Sequence, residues 1–96
     1  MNFKSIRYFI TLAHCLNFTQ AASKYHITQT AMSRYIASLE EQMGVRLFER
    51  SSRKVTLTED GMLLRKRAEE ILELVDRTEK EVMQSDEAIS GDIYIG

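Results

Sequence analysis

Residues 18–39 constrain the fold of this chain more than any other stretch of its sequence. Residues 20–25 are alanine-rich and predict a short helix, for which Thr19 is the expected N-cap. Residues 29–43 repeat apolar side chains at helical spacing, the pattern of a helix with one buried face. Between the two helices, His26 tolerates the left-handed backbone that a tight turn often needs. The pattern therefore predicts a short helix, a tight turn and a second, longer helix.

The flanking segments complete a small domain. Residues 3–15 predict a first helix, and Gly44 is the expected stop of the third. Residues 47–57 form two short apolar runs around the basic segment 50–54, which predicts a two-stranded hairpin. The residues expected to be buried on the first and third helices are Phe3, Ile6, Phe9, Ile10, Ala13, Met32, Tyr35, Ile36, Leu39 and Met43. Residues 1–58 are thus predicted to form a mainly α winged helix-turn-helix, with three helices and a two-stranded wing.

A long coiled-coil linker helix is predicted after the hairpin. Thr58 is a suitable N-cap, and the segment to about Ile89 has no proline. Apolar residues recur along it at alternating steps of four and three, which indicates a coiled coil, although the helix could instead pack on its own domain. The predicted dimerisation residues are Leu64, Ala68, Ile71, Val75, Val82 and Ile89. We assign residues 59–90 to a dimerisation helix, and residues 91–96, which alternate like a strand, to the start of a truncated further domain.

The net charge of −1 hides two oppositely charged halves of the chain. Residues 1–58 hold eight basic and three acidic side chains, whereas residues 59–96 hold five basic and eleven acidic ones. A basic globular half favours a polyanionic partner, but an excess of this size also fits ordinary solvated surfaces. The charge distribution alone leaves both interpretations open.

Four polar residues open the predicted third helix on the side opposite its apolar face. A glutamine side chain can bridge N6 and N7 of adenine, and an arginine can bridge O6 and N7 of guanine or bind a phosphate. Serine and threonine hydroxyls contact bases or phosphates. Any one of these residues alone would be an ordinary solvated residue, but together at the start of a capped helix they predict contact with DNA. The predicted contacts are Gln29, Thr30, Ser33 and Arg34.

The basic tip of the hairpin predicts a second contact with DNA. Arg53 is expected to enter the adjacent minor groove, where arginine responds to groove width and potential, and Lys54 to bind a phosphate. Arg50 lies closer to the body of the domain, where it could anchor the wing or contact a backbone phosphate. The alternative is a solvated basic loop without a partner.

The sequence predicts no catalytic, metal or membrane site. His14 and His26 lack cysteines or carboxylates at metal-ligand spacing, and no glycine-rich phosphate loop is present. Cys15 is the only cysteine, which excludes an internal disulfide and fits a reducing cytoplasm. No apolar run approaches the roughly 20 residues that cross a bilayer, and no signal-peptide pattern stands at the N-terminus. We therefore expect a cytoplasmic protein whose residues hold no cofactor.

Several motifs together resemble the N-terminal domain of the LysR-type transcriptional regulators, and the resemblance covers the whole chain. They are the pair Ala21-Ala22 and the blocks T-Q-x-A-x-S-R, L-E-x-x-x-G, L-F-x-R and L-T-x-x-G. The resemblance implies a bacterial transcription factor that binds an interrupted palindrome in promoter DNA as a tetramer built from linker-helix homodimers. It also implies a small-molecule effector that binds a C-terminal domain and changes DNA bending and contact with RNA polymerase.

By this resemblance the DNA contacts of the family fall on Gln29, Thr30, Ser33, Arg34 and Arg53. Arg50 corresponds to an arginine near the DNA backbone. The chain departs from the family where Thr30 replaces a frequent proline and Tyr35 a longer polar residue, which could alter base preference. Ser52 and Asp60 replace a frequent glycine and a frequent alanine. We interpret the chain as the DNA-binding domain and linker helix of such a regulator, cut before its effector domain.

Two other interpretations stay open at this point. A non-specific architectural DNA-binding protein would bind random and cognate duplexes with similar affinity. A protein-interaction module that uses the acidic coiled coil would show no salt-dependent binding to DNA, whereas phosphate contacts produce a steep salt dependence. No pattern of residues in the sequence indicates an enzyme.

Overall fold

The computed structural model describes the backbone of residues 1–92 and the side chains of residues 1–84. The elements in chain order are α1 Phe3–Cys15, α2 Phe18–Lys24, α3 Gln29–Met43, β1 Phe48–Arg50, β2 Val55–Leu57 and α4 Glu59–Asp92. The two strands pair antiparallel, with Phe48 opposite Leu57 and Arg50 opposite Val55. This architecture confirms the predicted fold class, which is mainly α with three helices, a two-stranded wing and a long final helix.

The turn between α2 and α3 has the predicted conformation, but the start of α2 differs from the prediction. His26 has φ 57°, in the left-handed region, and Gly44 ends α3 with φ 71°. The N-cap of α2 is Asn17 rather than Thr19. The Asn17 backbone is extended and its side chain accepts a hydrogen bond from the Gln20 amide nitrogen at 2.9 Å. Asparagine is at least as good a cap as threonine, so the helix begins earlier in the chain than the pattern suggested.

The hydrophobic core lies between α1, α2, α3 and the start of β1. Phe3 and Met43 were expected to be buried but are 54% and 40% exposed, because they are the terminal residues of α1 and α3. Tyr8 and Leu12 are buried on α1 although the pattern did not include them. The largest fully buried side chains are Phe9, Leu12, Met32, Ile36, Leu39, Leu47 and Phe48. Because two of these side chains precede or begin the wing, the wing is attached directly to the core.

The first turn of α4 is joined to the start of the wing by hydrogen bonds. The Thr58 hydroxyl donates to the Arg46 carbonyl oxygen at 2.7 Å and accepts from the Gly61 amide nitrogen at 2.9 Å. The Thr58 amide donates to the Leu47 carbonyl oxygen at 3.0 Å. A Cβ atom at Gly61 would overlap that same Leu47 carbonyl oxygen. Residue 61 must therefore be glycine if α4 is to start this close to the wing.

The remainder of α4 changes two predictions. Leu64 is only 8% exposed and Ala68 is fully buried, in the part of α4 that packs on α1 of the same chain. These first two positions of the predicted dimer seam are therefore covered by the chain's own domain. Residues 91 and 92 belong to α4 and not to a strand, because a glycine costs a helix only about 1 kcal/mol and does not stop it. The rest of the segment predicted as a strand, residues 93–96, lies outside the described residues.

Further along α4, the side chains become more exposed. Ile71 and Val75 are half-buried, and Val82 is 54% exposed. The side chain of Ile89 lies outside the described residues. The molecule measures 61 × 27 × 20 Å, and its long dimension exceeds what the packed core of three short helices requires. The alternative prediction, that α4 packs on its own domain, thus holds for its first turns.

Candidate nucleic-acid interface

The start of α3 is held rigidly by packing and by its cap. Met32 and Ile36 on one side of the helix are almost completely buried. The Thr28 hydroxyl accepts a hydrogen bond from the Ala31 amide nitrogen at 3.0 Å, which satisfies one of the free N–H groups at the helix start. The side chains on the opposite side of α3 are consequently presented to solvent from a fixed backbone.

The residues predicted to contact DNA lie on this solvent-facing side. Three of the four are exposed, and only the serine is half-buried. At about 3.6 residues per turn they follow one continuous strip of the helix surface. The four residues are Gln29, Thr30, Ser33 and Arg34.

Four cations, one on α3 and three on the wing, have no internal charge partner among the described residues. None of these four side chains has a carboxylate oxygen within 4.0 Å in that part of the chain. The ion pairs of the described residues instead join α1 to α4, lie along α4 or link α3 to residue 46. The positive charges are therefore available to a polyanion such as a nucleic acid. The four cations are Arg34, Arg50, Arg53 and Lys54.

A surface groove connects the tip of the wing with the starts of α2 and α3. It is lined by Thr19 at the start of α2, by Gln29 at the start of α3, and by residues 51–54 of the wing. The wing tip is closed by a hydrogen bond from the Ser51 amide nitrogen to the Lys54 carbonyl oxygen, at 2.9 Å. Residues that are distant in the sequence thus line one groove, in which basic and polar side chains of the wing lie beside the apolar Leu16, Phe18 and Val55. The sequence pattern alone did not predict this groove.

Arg50 is fixed to the body of the domain by an aromatic ring. Its guanidinium carbon lies 3.9 Å from the centroid of the Phe18 ring, within the range of a cation–π interaction. Phe18 in turn lies edge-on to Phe48, with ring centroids 6.4 Å apart. Of the two roles predicted for Arg50, this geometry supports anchoring of the wing. The residue stays exposed, so its charge also remains accessible to a phosphate.

Glu40 positions the wing relative to α3, a role that residue type and periodicity did not predict. Its carboxylate oxygen Oε2 accepts hydrogen bonds from the amide nitrogens of Leu47 at 2.8 Å and Phe48 at 3.2 Å. The same oxygen lies 3.8 Å from Nε of Arg46. The signal that could have identified Glu40 is its place in the L-E-x-x-x-G motif. One carboxylate therefore satisfies the backbone where the chain leaves α3 and enters β1.

We expect Glu40→Ala to lower the free energy of unfolding by about 1–3 kcal/mol, because two partly buried amide groups lose their acceptor. Urea unfolding of the variant and the wild type measures this difference. Glu41→Ala is the matched control, since the neighbouring Glu41 is exposed and its removal should change stability little. Equal stability of the Glu40 and Glu41 variants would contradict the positioning role.

The remaining candidates of the sequence have ordinary surroundings. His14 Nε2 lies 2.7 Å from Glu69 Oε2 and joins α1 to α4. The Cys15 thiol donates to the Thr11 carbonyl oxygen at 3.2 Å, and His26 forms the turn. Within residues 1–84, no three side chains of His, Cys, Asp or Glu come together as metal ligands. None of the helices in the described part of the chain is long and apolar enough to cross a membrane.

The sequence matches the family model of a bacterial regulatory helix-turn-helix protein, lysR family, over residues 3–62. It is 39% identical over 97 residues to the HTH-type transcriptional regulator BsdA of Bacillus subtilis (strain 168). That match covers 100% of this chain and 33% of BsdA. The chain thus spans about a third of the length of BsdA and of other curated regulators that it matches over its full length.

The fold matches solved structures of DNA-binding domains bound to DNA. The BenM domain in complex with benA site 1 DNA has a TM-score of 0.86 and 35% sequence identity. The match covers 90% of this chain and 97% of the BenM chain. The CbnR domain in complex with DNA has a TM-score of 0.85 and 35% identity, covering 90% of this chain and 99% of that one.

Proposed function

Because the chain belongs to the lysR family of bacterial regulatory helix-turn-helix proteins, we propose that it binds double-stranded DNA in a sequence-specific manner. The family consists of transcription regulators and not of enzymes. The observation that carries the proposal is the exposed strip of α3 beside a wing whose cations have no carboxylate partner among the described residues. The DNA complexes of the BenM and CbnR domains support it further.

In this proposal α3 enters the major groove and the wing lies along the neighbouring backbone. Gln29 and Arg34 have the planar hydrogen-bonding groups that distinguish adenine and guanine in the major groove. Thr30 and Ser33 contact bases or phosphates from the same strip. Arg53 enters the adjacent minor groove, where the potential of the DNA is most negative when the groove is narrow.

A second copy of the chain completes the proposed binding unit. Beyond the turns that pack on α1, α4 carries exposed or half-buried apolar residues that its own domain does not cover. Burial of these residues against another copy would remove them from water and place two α3 helices on one DNA. The described residues that support this pairing are Ile71, Leu74, Val75, Val82 and Met83.

We also propose how the whole regulator assembles on DNA and responds to an effector. Two or more such units bind an interrupted palindrome near a promoter, and dimers associate into tetramers. A small-molecule effector would bind outside these residues, in a further domain of the longer protein. Its binding would change DNA bending and the contact with RNA polymerase.

Selection of bound sequences from a random duplex pool tests the function. We expect a twofold-related consensus whose half-sites are about one helical turn apart, on the order of 10 bp, because a dimer places its two α3 helices in successive major grooves. Enrichment of a single unpaired half-site would contradict the dimer. Failure to enrich any sequence, with salt-dependent binding retained, would instead support an architectural DNA-binding protein.

A further inference from the structure

The exposed strip of α3 has a second edge that the wing does not reach. At about 3.6 residues per turn, Gln29 and Ser33 lie along the edge of the strip nearest the wing, whereas Ser38 and the half-buried Tyr35 border its other edge. Thr30 and Arg34 lie between the edges. The groove near the wing includes Gln29, while a separate concavity on α3 is lined by residues on the second edge and the middle of the strip. The residues that line this concavity are Thr28, Thr30, Ala31, Arg34, Tyr35 and Ser38.

A lysine from α1 lies beside this second edge. Lys4 is exposed, and its Nζ atom lies 5.5 Å from the centroid of the Tyr35 ring. Tyr35 is half-buried, and its ring packs edge-on against Tyr8 with centroids 4.7 Å apart. Side-chain hydrogen bonding with Tyr35, followed by electrostatic interaction with Tyr35 and Tyr8, raises the pKa of Lys4 above its ordinary value. The Lys4 ammonium group therefore lies next to a tyrosine whose ring is fixed by packing against Tyr8.

We propose that Lys4 and Tyr35 bind one phosphate of the DNA backbone on the side of α3 opposite the wing. The proposal rests on the proposed function, since it assigns the far edge of a helix that lies in the major groove. The Tyr35 hydroxyl donates to a non-bridging phosphate oxygen, and the Lys4 ammonium neutralises the charge of that phosphate. The two DNA strands that border the major groove are then contacted separately, one strand by the wing and the other by α1 and α3.

The chemistry of the pair favours a phosphate over a base edge. A lysine ammonium is a compact point charge, well suited to a phosphate and less suited to bidentate recognition of a base. In the described residues Lys4 has no carboxylate partner within 4.0 Å, so its charge is available. The Ser38 and Thr30 hydroxyls line the same concavity and add further donors. The pair should therefore contribute affinity without base preference.

The test compares the salt dependence of duplex binding for Lys4→Gln, Tyr35→Phe and wild type. For Lys4→Gln, we expect the slope of log K against log salt to become shallower by about 0.9, the value for one neutralised phosphate. Tyr35→Phe removes only the hydroxyl and keeps the ring on Tyr8. We expect it to weaken binding about threefold to tenfold, with an unchanged slope and an equal loss on selected and random duplexes. Lys66→Gln, an exposed lysine on α4, is the matched control and should keep the wild-type slope.

Each other outcome contradicts either the proposed phosphate contact or the proposed function on which it rests. A wild-type slope for Lys4→Gln would show that no phosphate is neutralised at this edge. A change in duplex preference for Tyr35→Phe would show that Tyr35 contacts a base, which is equally inconsistent with the proposal. If the wild-type protein shows no salt-dependent binding, the proposed function fails together with the inference. If wild type shows salt-dependent binding and both the Lys4→Gln and Tyr35→Phe variants bind like wild type, the inference alone fails.

Discussion

Arg34→Ala is expected to weaken binding to a selected duplex by about 1–3 kcal/mol and to relax base preference at one position of the site. Arg34 is exposed in the middle of the solvent-facing strip of α3 and has no carboxylate partner among the described residues. Its guanidinium group is therefore free to form two hydrogen bonds with a guanine. Titration of wild type and variant at one fixed salt concentration measures the loss, and a panel of single-base substitutions locates the relaxed position.

Two matched variants separate base recognition from general electrostatics. Lys54→Ala removes a charge of the wing and should weaken binding to all duplexes alike, with a shallower salt slope. Arg65→Ala removes an exposed arginine of α4 and should leave the affinity nearly unchanged. Equal affinity of Arg34→Ala and wild type for the selected duplex would rule out Arg34 as a base contact. A uniform loss across all duplexes would make Arg34 a phosphate contact.

Gly61→Ala is expected to lower the free energy of unfolding by about 2 kcal/mol, although alanine is the better helix former. Helix propensity favours the variant by up to about 1 kcal/mol. The added Cβ, however, overlaps the Leu47 carbonyl oxygen, and overpacking of this kind costs about 1–3 kcal/mol or more. The overlap involves backbone rather than a flexible side chain, so α4 and the wing must move apart. Chemical denaturation of the two proteins measures the difference.

Gly44→Ala provides the comparison for this effect. Gly44 has open space around its Cα but a φ of 71°, so alanine there meets only the penalty of the left-handed backbone, roughly 1 kcal/mol. We therefore expect the Gly61 variant to be the less stable of the two. If Gly61→Ala proves more stable than wild type, helix propensity dominates, and α4 does not approach the wing as closely as the structure indicates. Because the wing and α4 share this contact, the Gly61 variant should also bind DNA more weakly.

The predictable part of the fold follows from local interactions. Asn2 and Thr28 cap their helices through hydrogen bonds to amides three residues further on, so a few adjacent residues decide where those helices begin. The same locality explains the error at α2, where two good capping residues, Asn17 and Thr19, stand close together and only one can cap. The left-handed conformation of His26 was likewise predictable from residue type.

The sequence predicted which residues belong to the candidate site but not how they are arranged in space. Periodicity placed Gln29, Thr30 and Arg34 on the outer side of α3, because a helix that buries Met32 and Ile36 must expose the opposite side. No periodicity indicates that the wing tip lies beside Gln29 or that Lys4 lies beside Tyr35. Such contacts join residues far apart in the chain, and they exist only after the helices have packed.

The sequence by itself determined the order of helices and strands, the exposed strip of α3 and the separation of basic and acidic halves. These features depend on caps, spacing and charge, which act over a few residues. Only the tertiary structure decided that Arg50 lies on Phe18, that Glu40 binds the start of the wing, and that Leu64 is buried in its own chain. The physical reason is that close packing of the core selects one set of neighbours from many that local preferences allow.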